Sequence, residues 1–388
     1  MKVLIVSHIT DLAGPTEAAV DYFAREAESV DVLLHPLPYC MDRASTVGRT
    51  NQGNWVFKRK VWGSRLPNLI TYLRDALLTL IWGLRFGQKY DVCLGVDPLN
   101  CFVALLLKKL GRVERVYFYT IDWMPTRFSN PVLNRFYHLI DQYCVNHCDA
   151  AWNLSPKICE VRAEQGLEPS KNLLVPVGVE FDKIQLPAAE TKVRATKLVL
   201  LGALAPSKGV DLVIEAFAEL KKALPEIELY VIGKTPEDRS EDGVTYEPYE
   251  PRLQALGEGV YLLGRMNHDE VLAKLPHFDL GLALYKPYQG NLSAWADPSR
   301  VKDYLACGLP TLVTSVPPIA KDIEENVAGR VVEYTSESLA QALLEIAESP
   351  ELFREMRQNA LRYMESYNWK DIFSKAIIES QVPSASVG

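Results

Sequence analysis

Apolar residues in the first half of the chain alternate between short unbroken runs and longer stretches that repeat every three to four positions. The runs at 2–7, 31–35, 91–96, 115–120, 150–154 and 173–176 predict strands. The stretches at 15–28, 67–86, 100–110 and 131–147 predict helices between them. The second half repeats the design, with strands at 197–201, 228–232, 260–263, 280–284, 311–313 and 330–332. Its helices are expected at 209–224, 268–274, 299–307 and 336–347, and a last one at 370–379. Strands that follow one another through helices must run parallel, and crossover helices then cover both faces of the sheet. The pattern therefore predicts an α/β protein with two doubly wound, Rossmann-like domains. The segment 180–194, with Pro187 and mixed charge, is the expected linker, which leaves domains at 1–186 and 195–368. Ligands of such sheets lie beyond the carboxyl ends of the strands, so the expected site is a cleft between two facing edges.

Composition narrows the class. At 388 residues, 48% hydrophobic and 23% charged, the chain suits two ordinary globular cores and not a disordered or coiled-coil protein. No run approaches about 18 apolar residues, and the opening run at 2–7 is too short for a signal peptide, so a cytoplasmic location is expected. Seven cysteines, spread widely, read as reduced thiols rather than a disulfide framework. Cys144, His147, Cys148 and Cys159 lack a second ligand pair and read as core or surface thiols, so no metal is expected. Net charge is −7, yet residues 43–89 carry nine basic residues against Asp75 alone, with Trp55, Trp62 and Trp82 among them. No nucleic-acid signature accompanies this block. An anionic membrane surface, approached peripherally from the cytoplasmic side, or a lipid-diphosphate acceptor fits it better; a plain solvated face is the alternative.

The densest chemistry lies at 297–314. Asp297-Pro298-Ser299 opens a helix that Gly308 and Pro310 close, and Asp297 or Ser299 can accept its unpaired N–H groups. Arg300 and Asp303 are three apart and share a face of that helix. A cation and a carboxylate at a helix start, at the carboxyl edge of an α/β sheet, suit a phosphorylated sugar; an exposed ion pair is the plainer alternative. Lys208 sits in a second strand-to-helix loop, Gly202-Ala-Leu-Ala-Pro-Ser-Lys208-Gly209, which has neither Walker A nor Gly-x-Gly-x-x-Gly order. A Lys there can hold a diphosphate as a point charge.

The run Pro298-Ser299-Arg300-Val301-Lys302-Asp303-Tyr304-Leu305-Ala306-Cys307-Gly308-Leu309-Pro310 resembles the donor-binding signature of retaining GT-B glycosyltransferases of the family 4, or group 1, type. Arg300 stands where Lys is usual and Asp303 where Glu is usual. Three further segments match the family in order: 201–217 with Lys208-Gly209, 260–266 with Gly264-Arg265-Met266, and 279–285 ending in Tyr285. Together they span about residues 197–335. In the first half the likeness rests on Gly14, Glu17, Asp122 and Asp149.

The resemblance implies a transferase that moves a sugar, with retention, from a nucleotide-sugar donor to a carbohydrate or lipid-linked acceptor in surface polysaccharide or glycolipid synthesis. It implies a GT-B fold whose last helix, within 369–388, crosses back to the first domain. Donor-binding residues carried over are Gly14, Lys208, Gly264, Arg265, Met266, Tyr285, Ser299, Arg300 and Asp303. Asp303 would take the ribose hydroxyls, and Gly264-Arg265-Met266 would meet the base through backbone groups. His8, Glu17 and Asp122 fall on the acceptor side. Lys208, Arg300 and Asp122 are the expected catalytic groups, the two cations stabilising charge on the departing diphosphate without a metal cofactor. Departures from the family pattern are Ala203, Ile121, Pro15 and Trp295, at places usually held by Arg, His, Gly and Glu. With Trp295 there, sugar recognition is expected from the loop carrying Lys286, Tyr288, Asn291 and Ser293. A nucleotide-sugar epimerase and a catalytically silent scaffold subunit of the same fold are the alternative readings.

Overall fold

A computed structural model describes residues 1–10, 14–63, 66–186, 194–241 and 244–381. Most of the expected linker, at 187–193, lies outside the described residues, as do Arg65 and the tail after Gln381. The chain forms two compact units, one made of Met1–Pro176 together with the chain from Trp369, the other of Val177–Asn368.

The first unit contains β1 (Lys2–Ile9), α1 (Pro15–Glu26), β2 (Ser29–Pro36), β3 (Ser45–Asn51), β4 (Asn54–Val61), α2 (Asn68–Arg85), β5 (Tyr90–Val96), α3 (Asp97–Lys109), β6 (Val113–Thr120), α4 (Pro131–His147), β7 (Ala150–Asn153), α5 (Pro156–Glu164) and β8 (Asn172–Leu174). Its sheet has the order β4-β3-β2-β1-β5-β6-β7-β8. The expected all-parallel sheet is corrected at one edge, where β2, β3 and β4 pair antiparallel. β3 and β4 were not legible as strands because polar residues dominate an edge hairpin. Their turn, Gln52-Gly53, has positive φ at both positions, the backbone that matches the twist of a two-residue hairpin.

The pleat of β4 divides the basic block. Phe57 and Arg59 share one face, with Phe57 near Phe86 at the end of α2, whereas Lys58 and Lys60 take the other. Trp55 fills the space that a side chain at Gly48 would need, under the Lys58 ammonium. Arg49 pairs with buried Asp31, Arg74 with Asp75 and Lys60 with Asp42, so part of the charge is neutralised locally.

Leu4, Val6, Cys93, Val116 and Phe118 fill the sheet's core with Cys101, Cys144 and Cys148. All seven cysteines are free thiols, and among the described residues no cluster of His, Cys, Asp and Glu could hold a metal. The helix α13 (Trp369–Gln381) packs on this unit, where Trp152 Nε1 donates to Ser380 Oγ and the Trp152 ring stacks on Phe373.

The second unit contains β9 (Lys197–Leu201), α6 (Val210–Ala223), β10 (Glu228–Ile232), β11 (Ser240–Glu241), β12 (Val244–Thr245), α7 (Tyr249–Gln254), β13 (Val260–Gly264), α8 (His268–Lys274), β14 (Leu280–Ala283), α9 (Ser299–Ala306), β15 (Thr311–Thr314), α10 (Ile319–Glu325), β16 (Gly329–Val332), α11 (Ser336–Glu348) and α12 (Pro350–Met364). A six-stranded parallel sheet has the order β13-β10-β9-β14-β15-β16. The short helices α5, α7 and α10 and the longer α12 were not predicted. In each main sheet the winding reverses at one place, between β1 and β5 in the first and between β9 and β14 in the second. In doubly wound sheets ligands bind beside the loops leaving such strands.

Candidate active site

In the second unit the loop after β9 is forced close to its neighbours. Gly233 has φ +147°, and a Cβ there would lie 1.8 Å from the Gly202 carbonyl oxygen. Gly209, at φ +75°, opens α6, where a Cβ would lie 1.6 Å from the Leu284 carbonyl oxygen. The start of α6 is thereby pressed onto the end of β14, which brings Lys208 to Tyr285. Lys208 Nζ lies 5.1 Å from the Tyr285 ring centroid and donates to Ser293 Oγ at 3.1 Å.

Arg300 reaches the same ring from α9. Its guanidinium lies 4.4 Å from the ring centroid, Nε donates to the Tyr285 hydroxyl at 2.8 Å, and Nη1 donates to the Leu201 carbonyl at 2.7 Å. Arg300 is buried, and its Nη2 has no hydrogen-bond partner. Burial, and secondly the Arg300 charge, push the Lys208 ammonium down to about 8. Glu241 offsets this only weakly and spends its oxygens on the N–H and hydroxyl of Ser207. Two cations therefore share one aromatic ring, and one guanidinium nitrogen is buried without a hydrogen-bond partner.

Asp303 lies one turn along α9, and it does not pair with Arg300. Its Oδ2 meets His268 Nε2 at 3.3 Å, and His268 Nδ1 faces Glu180 at 3.5 Å. Burial pushes the Asp303 carboxyl up and His268 opposes it, while the same hydrogen bond holds the imidazole above its ordinary range. His268 follows β13 directly, so Gly264, with φ +74°, and Asp303 belong to one corner of the unit. Arg265 is exposed there, and Met266 packs into the core.

The start of α9 corrects one expectation. Neither Asp297 nor Ser299 caps the helix; Pro298 occupies the cap and Ser299 is exposed. Asp297 instead accepts from the Val177 N–H at 2.7 Å and from Lys302 Nζ at 2.5 Å. Lys302 also donates to the Val177 carbonyl at 2.8 Å. This buried pair ties the first residue of the unit to α9 and is structural. Trp295 closes the short turn Leu292–Ala294, and Asn291 Nδ2 bonds the carbonyls of Ser207 and Lys286. The loop is thus tied to the Lys208 turn.

At the carboxyl edge of the first unit, His8 is buried at the end of β1. Its Nε2 lies 3.4 Å from Asp75 Oδ2, and Asn100 Nδ2 meets Nδ1 at 3.0 Å. Burial raises the Asp75 carboxyl, but His8, His35 and Arg74 together bring it below its ordinary range. Glu17 accepts from the Gly14 N–H at 2.9 Å at the start of α1, while 11–13 lie outside the described residues. Asp122 is paired with Arg127 and half-exposed.

Asp97, which the sequence reading passed over, opens α3 at the end of β5, next to the strand that carries His8. It holds φ +64°, a left-handed conformation that is uncommon outside glycine. Its Oδ1 is buried without a partner. Burial first, then Asp122, push its carboxyl up to about 7, against the pull of Arg127. The only signal in the sequence is an Asp-Pro pair ending an apolar run.

Over residues 182–363 the chain matches the model of the family described as glycosyl transferases, group 1. It is a glycosyltransferase of GT-B fold. The sucrose-phosphate synthase of Thermosynechococcus elongatus has the same fold, with TM-score 0.69 at 15% identity over 98% of both chains. Anabaena HepE, solved with UDP, gives TM-score 0.69 at 14% identity over 97% of this chain and 99% of that one. WaaG, a glycosyltransferase involved in lipopolysaccharide biosynthesis, gives 0.64 at 16% over 99% and 100%. No curated protein sequence matches the chain.

Proposed function

We propose that the second unit binds the diphosphate of a nucleotide-sugar donor on Lys208 and Arg300. One observation carries the reading: two cations stacked on Tyr285, one of them a buried guanidinium whose Nη2 has no partner. An anion placed there satisfies the orphaned donor and relieves the repulsion that weakens the Lys208 charge. As the bond from the anomeric carbon to the diphosphate breaks, charge grows on the leaving oxygen, and both cations gain interaction energy in the transition state. No metal enters this reading. Asp303, oriented by His268, would accept from the ribose hydroxyls, and the Gly264–Met266 backbone would meet the base.

Asp122 and His8, with Asp97 beside them, would form the acceptor side, where a carbohydrate or lipid-linked hydroxyl attacks on the face the leaving group vacates. The reading extends to surface polysaccharide or glycolipid synthesis on the cytoplasmic side of a membrane, in keeping with the basic block at 43–89 and with WaaG, named for lipopolysaccharide biosynthesis. Among the described residues no helix is long and apolar enough to cross a membrane, so contact would be peripheral.

Titration with UDP by calorimetry, and release of nucleoside diphosphate from a panel of nucleotide sugars with and without acceptor, test the proposal. Binding that Arg300→Ala abolishes, and release that depends on acceptor, are the expected results. Nucleotide binding untouched by the substitution would move the donor site elsewhere.

A further inference from the structure

Helix α2 turns much of its polar surface inward and much of its apolar surface outward. Beside Leu78, its inward face carries Thr71, Arg74, Asp75 and Thr79, all buried. Thr79 meets His35 Nε2 at 2.8 Å, and Asp75 sits between Arg74 and two histidines. Its outward face carries Leu69, Ile70, Leu73, Leu77 and Leu84, all exposed, Leu73 by 63%. These follow Leu66 at steps of three, four and seven, so they form one straight apolar ridge along the helix. At the head of the ridge Trp62 is 68% exposed, on a backbone at φ +44°. Solvent is an unfavourable neighbour for such a face, and a ridge of this continuity marks an interaction surface.

We propose that this face of α2, led by Trp62 and Leu66, lies in the interfacial layer of an anionic membrane. Charge points to the occupant. From Arg43 to Lys89 the only carboxylate is Asp75, which is buried, so this segment shows no acid to solvent. Arg59, on the sheet face that meets the end of α2, and Arg85 in the last turn of α2 are both exposed. Anionic headgroups complement that arrangement, whereas a second copy of the same surface would place cation against cation. Area agrees. An 18-residue helix offers a strip of about 27 Å by ~10 Å, well short of the ~800 Å² per partner of a stable dimer. A helix lying in the headgroup region needs no such area, and Trp suits that depth. Lys58 and Lys60, on the opposite face of β4, contribute little to this surface. The inference rests on the lipid-linked acceptor reading, which it supplies with a docking surface.

Vesicle co-sedimentation with the full chain tests it. Phosphatidylcholine–phosphatidylglycerol vesicles are expected to carry the protein down, and pure phosphatidylcholine vesicles to do so weakly. Replacing Leu69, Leu73 and Leu77 together by Ser is expected to weaken binding at least ~30-fold. Arg59→Ser and Arg85→Ser are expected to cost about fivefold each, whereas Lys58→Ser is expected to change little. In the wild type, quenching by brominated lipid that Trp62→Phe removes reports the contact without disturbing the ridge. Undiminished sedimentation of the triple variant overturns the proposal. So does an absence of wild-type binding to either vesicle, or a concentration-dependent dimer that the triple variant abolishes. UDP titration of the same samples separates the two readings: docking lost with UDP affinity intact removes this inference alone, and docking without UDP affinity removes the donor site alone.

Discussion

Both units bring polar side chains to the reversal point of a doubly wound sheet, two cations in one and a buried carboxylate in the other. In the second unit the reversal between β9 and β14 gathers Lys208 and Arg300 around Tyr285. In the first, the reversal between β1 and β5 gathers Asp97 and His8, with Asp122 beyond them at the end of β6. The topology offers the same crevice twice, and the side chains decide what enters it. The cationic crevice holds one buried donor without a partner, Arg300 Nη2, and the other holds one buried carboxylate oxygen without a partner, Asp97 Oδ1. On the proposed function, a diphosphate leaving group and a hydroxyl nucleophile would be complementary to these two deficits.

Substitutions at four positions can break or sharpen that contrast. Arg300→Ala is expected to have the largest effect, about 3 kcal/mol of UDP affinity by calorimetry, since it removes a buried charged donor from the anion. Arg300→Lys should recover only part, because an ammonium cannot reproduce the fork that grips Tyr285 and Leu201. Asp303→Ala is expected to cost about 2 kcal/mol in the same titration. Loss of UDP affinity in Asp97→Ala comparable to that in Arg300→Ala would erase the division of labour.

Asp97→Asn tests the other crevice through stability. Its folded carboxyl is held near 7, above the ordinary carboxylate value, so the stability it permits is full in acid and is lost as pH rises from about 4 through about 7. Removing the ionisable group should therefore raise the melting temperature at pH 7.5, by the equivalent of ~1–2 kcal/mol, and change little at pH 4. A lower melting temperature at pH 7.5 would mean that the carboxylate holds the fold together. The smallest effect concerns Lys208. With its ammonium pushed down to about 8, the free protein loses this charge above that pH. UDP affinity should then fall between pH 7 and pH 9 by about 1 kcal/mol, and Lys208→Ala should flatten the profile.

The sequence shows the second unit in more detail than the first, for physical reasons. The proposed anion site depends on loop shape, and loop shape depends on glycines at positive φ and on helix starts, both of which leave short contiguous patterns. Gly202, Gly209 and the Arg300–Asp303 spacing are all readable in line. The partners of those groups are not. Tyr285 joins Arg300 across 15 residues, and His268 joins Asp303 across 35. Asp97 has its charged neighbours Asp122 and Arg127 on a later part of the chain, and no local pattern records a buried carboxylate oxygen without a partner. The hairpin of β3 and β4 was missed because an edge strand with one wet face lacks a run of apolar residues. Helix α2 was legible as a helix at 67–86, but the periodicity gave no sign that Leu69, Leu73, Leu77 and Leu84 face outward. A 3.6-residue repeat reports that one side is apolar; only the polar network around Asp75 determines which side faces in.

The last helix has a consequence for how the protein is made. Ser380 meets Trp152 across 228 residues, and Phe373 stacks on the same indole. Synthesis runs from the first residue onward, so the opening unit leaves the ribosome without one of its own packing partners. It must wait while the whole intervening unit is translated, roughly ten to forty seconds at ordinary elongation rates. During that interval the face of β7 and α1 that α13 will cover is bare, and the second unit, whose residues are contiguous, is the one able to close first. The order of completion is thus the reverse of the order of synthesis, and the nascent chain is most in need of protection at its oldest end.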